Sequence, residues 1–140
     1  MDVILSIKPK YCEKIINGEK RVEFRKRVFR NADGVEFVYM YATYPIKRIV
    51  GVFRIDSIIK GPPIDLWRKF KNLSGISKNE FLKCFGSEKV IFAIKIKDVK
   101  SFHPPINPNL LFPSFTSPRS FQYLKSNIDL QHNRSKRSPR

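Results

Sequence analysis

The densest chemistry in this chain lies in Gly18-Glu19-Lys20-Arg21-Val22-Glu23-Phe24-Arg25. Lys20, Arg21 and Arg25 are cationic, Glu19 and Glu23 anionic. In a strand, side chains alternate between faces. Read that way, Lys20, Val22 and Phe24 share one side, and Arg21, Glu23 and Arg25 the other. A base–acid–base row suits gripping an anion. A guanidinium binds phosphate bidentately, a lysine holds it as a point charge, and a carboxylate between cations orients the grip. The plainer alternative is a solvated strand face whose ion pairs have small net value.

The cations continue through Lys26, Arg27 and Arg30, which makes six between Lys20 and Arg30. Arg21, Lys26, Arg27 and Arg30 form a diffuse electrostatic patch in this reading. Tyr39 and Tyr41 share a strand face; Tyr41 can stack on a base, although aromatic stripes more often belong to a core. Thr43, at a strand end, can donate to a base or a phosphate. Arg119 and Ser120 can face the same cleft or be plain surface. Trp67 reads as a core anchor and His103 as a loop residue. There is no Ser-His-Asp order, no acidic cluster for two metals and no glycine-rich phosphate loop. No cofactor and no metal are therefore expected. If the protein is an enzyme, Lys20 and Glu23 are its candidate catalytic residues.

The chain has 140 residues, enough for one domain with a true core. Its 28 Lys and Arg against 12 Asp and Glu give a net charge of +16. Such an excess repels itself, and a polyanionic partner explains it. After Leu130 the chain carries Arg134, Lys136, Arg137 and Arg140 and no acid; without those four the rest still holds +12. The charge thus belongs to the domain as well as to the tail. Cys12 and Cys84 lack a CxxC partner and read as free thiols of a reducing cytoplasm. No signal peptide or membrane-spanning run is expected.

The elements that position the motif follow from local patterns. Val3–Ile7 reads as a buried strand, and Pro9 opens a helix that Asn17-Gly18 closes, with Gly18 as a left-handed cap. The charged strand comes next, then a turn at residues 31–34. Residues 36–43 and 48–59 read as strands, with a bulge or close approach at Gly51. Residues 64–70 form a short helix that buries Leu66, Trp67 and Phe70. Ser77 and Glu80 make a capping box for another helix, which Gly86 ends. Residues 90–102 alternate as a long strand. Residues 103–118, rich in proline, read as irregular but packed by Leu110, Leu111, Phe112 and Phe115; residues 117–124 read as a last helical turn. These elements predict an α+β fold, a small mixed β-barrel of about five or six strands with short peripheral helices.

The pattern Gly18-x-Lys20-x-x-Glu23-x-Arg25 after a strand–helix start resembles the signature of the ASCH domain family, within the PUA-like superfamily. Leu5-Ser6-Ile7-Lys8-Pro9, residues 41–45, residues 49–53 and residues 117–121 resemble other segments of that family. The likeness covers residues 1 to about 125. It implies a PUA-like barrel with a cleft for RNA or a nucleotide-like ligand, lined by Lys20, Glu23 and Arg25. Some small bacterial relatives hydrolyse acetylated cytidine with a lysine, a threonine and a distant glutamate. The lysine corresponds to Lys20, but the threonine falls where this chain has Glu23, which removes the presumed nucleophile of that mechanism.

The sequence therefore predicts a domain over residues 1–126 and a basic disordered tail over 127–140. Its expected role is nucleic-acid binding, RNA favoured over DNA, as a cytoplasmic monomer without a membrane partner. Two alternatives stand beside it: a hydrolase of RNA or of an acylated nucleoside, and a regulatory partner-binding module that uses its basic tail.

Overall fold

In the computed structural model, which describes residues 1–30, 32–111, 115–118 and 121–124, six strands form one sheet in the order β2-β5-β4-β3-β1-β6. The runs rich in β-branched and aromatic residues form its centre. Strands β1 (Asp2–Ile7) and β3 (Val38–Ala42) are buried along their whole length and pair in parallel. Strand β4 (Arg48–Gly61) pairs antiparallel with β3 and with β5 (Ile91–Ile106). Short β2 (Val22–Arg25) and β6 (Phe121–Leu124) take the two edges. The α+β class holds, with six strands. The sheet curls enough for Arg25 on β2 to reach Ser6 on β1. The two edge strands share no ladder, so the described residues form an open sheet and not the expected closed barrel.

Helix α1 (Pro9–Ile16) carries Pro9 in its first turn and buries Tyr11, Cys12 and Ile15. Gly18 follows its cap at φ +88°, a left-handed conformation that suits glycine. Helix α2 (Pro63–Ser74) buries Leu66, Trp67 and Phe70, as their spacing predicts, and ends at Gly75 with φ +63°. Helix α3 (Lys78–Phe85) packs Phe81 and Phe85 against Phe24. Its cap is half of a capping box. Ser77 Oγ accepts from the Glu80 amide at 3.1 Å, but the Glu80 carboxylate turns to Tyr11.

Gly51 marks a register shift in β4, and a Cβ there would stand 2.7 Å from the Lys100 carbonyl oxygen. The close approach read from sequence is present. The C-terminal third differs from expectation. β5 runs on through His103, Pro104 and Pro105 to Ile106, because the prolines fall inside a register irregularity between Ser101 and Ile106 and beyond the span that pairs with β2. Leu110 is not a packing residue but 79% exposed on the short α4 (Pro108–Leu111). Residues 121–124 form a strand against β1 where a helical turn was expected. Phe112 and the basic tail over 127–140 lie outside the described residues.

Candidate functional site

The loop between α1 and β2 sets the site. Asn17 Oδ1 accepts from the Glu19 amide at 2.9 Å, and the Lys20 and Arg21 amides bond to the carbonyls of Lys14 and Leu73. Lys20 therefore precedes β2 instead of belonging to it, which corrects the strand pattern read from sequence. Its side chain turns inward, 3% exposed, while Arg21 points to solvent. The base–acid–base row is Lys20–Glu23–Arg25, without Arg21. Gly75 makes room for it: a Cβ there would meet Lys20 Cβ at 3.0 Å.

Every charge in the row is tied down. Lys20 Nζ lies 3.3 Å from Glu23 Oε1 and donates to the Ser74 carbonyl. Arg25 Nη1 lies 3.1 Å from Glu23 Oε2 and donates to the Ser6 carbonyl at 3.0 Å. Lys20 Nζ also sits 5.1 Å from the centroid of the Tyr11 ring. Two cations around one carboxylate leave a net positive charge in a buried, fixed geometry. Burying charge is tolerated only with such pairing.

The row forms one side of a cleft of about 360 Å³, within the range of ligand sites. Thr43, Ile76, Glu80, Cys84 and Phe85 line it as well. Beside Lys20 the Tyr11 hydroxyl donates to the Glu80 carboxylate, and Lys10 Nζ stands 3.1 Å from the same oxygen. The Tyr11 hydroxyl, then Lys10, hold the Glu80 carboxyl below its usual range. Burial, then Glu80, push the Tyr11 phenol far up. Burial pushes the Cys12 thiol up to about 12, with Glu23 adding to the shift, so it stays a protonated core residue.

The structure brings Lys20, Glu23, Arg25 and Thr43 together. Arg21, Lys26 and Arg27 are exposed and do not line the cleft. Tyr41 is buried among Ile4, Tyr39, Ile49 and Val52, and borders a second recess with Lys47, Arg48 and Phe115. It does not line the Lys20 cleft. Arg119 and Ser120 lie outside the described residues. Sequence reasoning missed Tyr11 and Glu80 as cleft residues. Helical spacing explained Tyr11 and the capping box explained Glu80, so neither carried a second signal. Among the described residues no cluster of His, Cys, Asp or Glu could hold a metal ion, and no helix is long and apolar enough to cross a membrane.

The fold built from this curled sheet is similar to that of solved ASCH proteins. The crystal structure of the ASCH protein of Zymomonas mobilis superposes with a TM-score of 0.85, over 96% of this chain and 94% of that one, at 23% identity, which speaks for the fold. The chain belongs to the family described as a domain of unknown function, DUF365, whose model matches residues 1–114. One curated relative also carries the ASCH name. An ASCH domain-containing ribonuclease of Zymomonas mobilis is 27% identical over 130 residues, covering 89% of this chain and 84% of that protein. The large ribosomal subunit protein uL22 of Ureaplasma parvum serovar 3 is 30% identical over 124 residues, 88% of this chain but 39% of that protein. This chain thus corresponds to well under half of that relative.

Proposed function

We propose that the protein binds RNA, and that the cleft receives one unpaired nucleotide against Lys20, Glu23 and Arg25. One observation carries this reading: a buried, net-positive Lys20–Glu23–Arg25 row facing a cleft of about 360 Å³. Arg25 and Lys20 would engage a phosphate or a base edge, Glu23 would hold them in register, and Thr43 would donate from the rim. The cations of Arg21, Lys26 and Arg27 would add attraction from outside the cleft. The overall charge of +16 supports a polyanionic partner, and the ribonuclease named among the relatives supports RNA over DNA. The working form is a cytoplasmic monomer.

A second reading, an RNA-cleaving hydrolase, is favoured by the Tyr11–Glu80 pair beside Lys20 in the cleft and by the same relative. Glu23 in place of a threonine argues against an acylated-nucleoside amidohydrolase.

The test is a binding and turnover assay with labelled single-stranded RNA. Removing one member of a buried ion pair costs about 3–5 kcal/mol, so Lys20→Ala needs a folding control by circular dichroism. Thr43→Val, at the rim, provides a milder second variant. The proposal expects complex formation that weakens about tenfold or more in folded Lys20→Ala and less in Thr43→Val. RNA affinity unchanged in both folded variants would remove the cleft from the function. Product released by the wild type and abolished in Lys20→Ala would favour the hydrolase.

A further inference from the structure

Strands β4 and β5 carry an arrangement that stability alone does not explain. Arg54 on β4 lies directly opposite Lys97 on β5, and Val52 lies opposite Lys100. Residues directly opposite in an antiparallel pair share a face, and like charges so placed destabilise the sheet. All three cations are exposed. Among the described residues, none of the three is in an ion pair.

A bulge makes this face. Between the two pairs β4 advances from Arg54 to Val52, while β5 spends one more residue, from Lys97 to Lys100. Asp98 takes the extra place at φ +52°, a left-handed conformation that is unusual outside glycine. Residues three apart in a regular strand point to opposite faces. The bulge cancels that alternation and aims Lys97 and Lys100 to the same side. Their face continues into an aromatic one: the Arg54 guanidinium lies 5.8 Å from the Phe37 ring centroid, and Tyr39 stacks on Phe102 beside Val52. None of the three cations lines the Lys20 cleft.

We propose that this β4–β5 face is a second RNA-binding surface, on which Arg54, Lys97 and Lys100 hold the backbone phosphates of a strand too long for the cleft alone. The proposal rests on the RNA reading above. Cations two pairing steps apart along a ribbon stand about 7 Å from one another, a spacing on the scale of successive phosphates in an extended single strand. Point charges on phosphates fix position and carry no sequence information. The repulsion between Arg54 and Lys97 in the free protein is relieved when a phosphate lies between them.

The experiment compares wild type with Arg54→Gln/Lys97→Gln/Lys100→Gln, using a trinucleotide of RNA and a long, mixed-sequence single-stranded RNA. The variant should bind the long RNA at least about tenfold more weakly. Its slope of log affinity against log salt should shrink by about 2, at about 0.7 for each phosphate that is no longer neutralised. Trinucleotide binding should not change, and the melting temperature should hold or rise. A variant that binds the long RNA with wild-type affinity and slope overturns the ribbon alone. A wild type that binds neither RNA overturns the RNA reading together with it.

Discussion

Tyr11 and Glu80, in the cleft wall, each shift the other's protonation. Glu80 is held below 4.5, the ordinary value of its carboxyl, by the Tyr11 hydroxyl first and Lys10 next. Its contribution to stability is present above that value and fades as pH falls through the lowered one. Tyr11 is raised above 10.0, so its share is present below that value and is lost only when pH rises well past it. Tyr11→Phe should therefore lower stability near neutral pH by about 1 kcal/mol, the modest value of a hydrogen bond to a part-exposed charge. The gap between wild type and variant should narrow at acid pH well below 4.5, where Glu80 protonates. Urea unfolding at both pH values measures it; an equal gap at both would detach the pair from acid stability. At this scale the sequence was half legible. Three of the chemical residues stand within six positions, so Lys20, Glu23 and Arg25 could be picked out together. The direction of Lys20 could not be read, because it depends on Ser74 and Gly75, which reach it from the end of α2.

That dependence makes the α2–α3 connection the element that holds the cleft in shape. Gly75 ends α2 in the left-handed region and lies against the Lys20 stem. Gly75→Ala meets both constraints. The backbone conformation costs about 1–2 kcal/mol in a residue with a Cβ, and the new methyl presses on Lys20 Cβ at 3.0 Å. The variant should unfold at lower urea and bind RNA more weakly than its reduced stability accounts for. Reduced stability with unchanged affinity in the folded fraction would show that Gly75 serves α2 and not the cleft. The elements that could be read from sequence are those whose reasons are local: Pro9 and Gly18 around α1, Ser77 before α3, and the spacing of Leu66, Trp67 and Phe70. The elements that could not are settled by distant partners. Pro104 and Pro105 stay in β5 because the ladder with β4 skips them, and Phe121–Leu124 is a strand because β1 offers an edge more than a hundred residues earlier in the chain.

For the whole molecule, the charge of +16 makes folding and binding respond to salt in opposite directions. Most of the cations are exposed and the acids are too few to neutralise them, so the compact state repels itself. The Debye length falls from about 30 Å at 0.01 M salt to about 8 Å at 0.15 M, which screens exposed charges and spares buried pairs. The Lys20–Glu23–Arg25 row, with Lys20 3% exposed, lies on the protected side of that division. Added salt should therefore raise the melting temperature by a few degrees, as a gain of about 1 kcal/mol does in a domain of this size. Over the same range it should weaken RNA binding steeply, because each phosphate neutralised releases a counterion that added salt makes harder to release. The two trends separate the sources of charge. If deletion after Leu130 abolished both, the basic tail would carry the electrostatics and the domain would be a scaffold. If both persisted in the truncated chain, the +12 that remains on the domain is sufficient. Melting curves and binding isotherms for full-length and truncated protein, each across a salt series, decide between them.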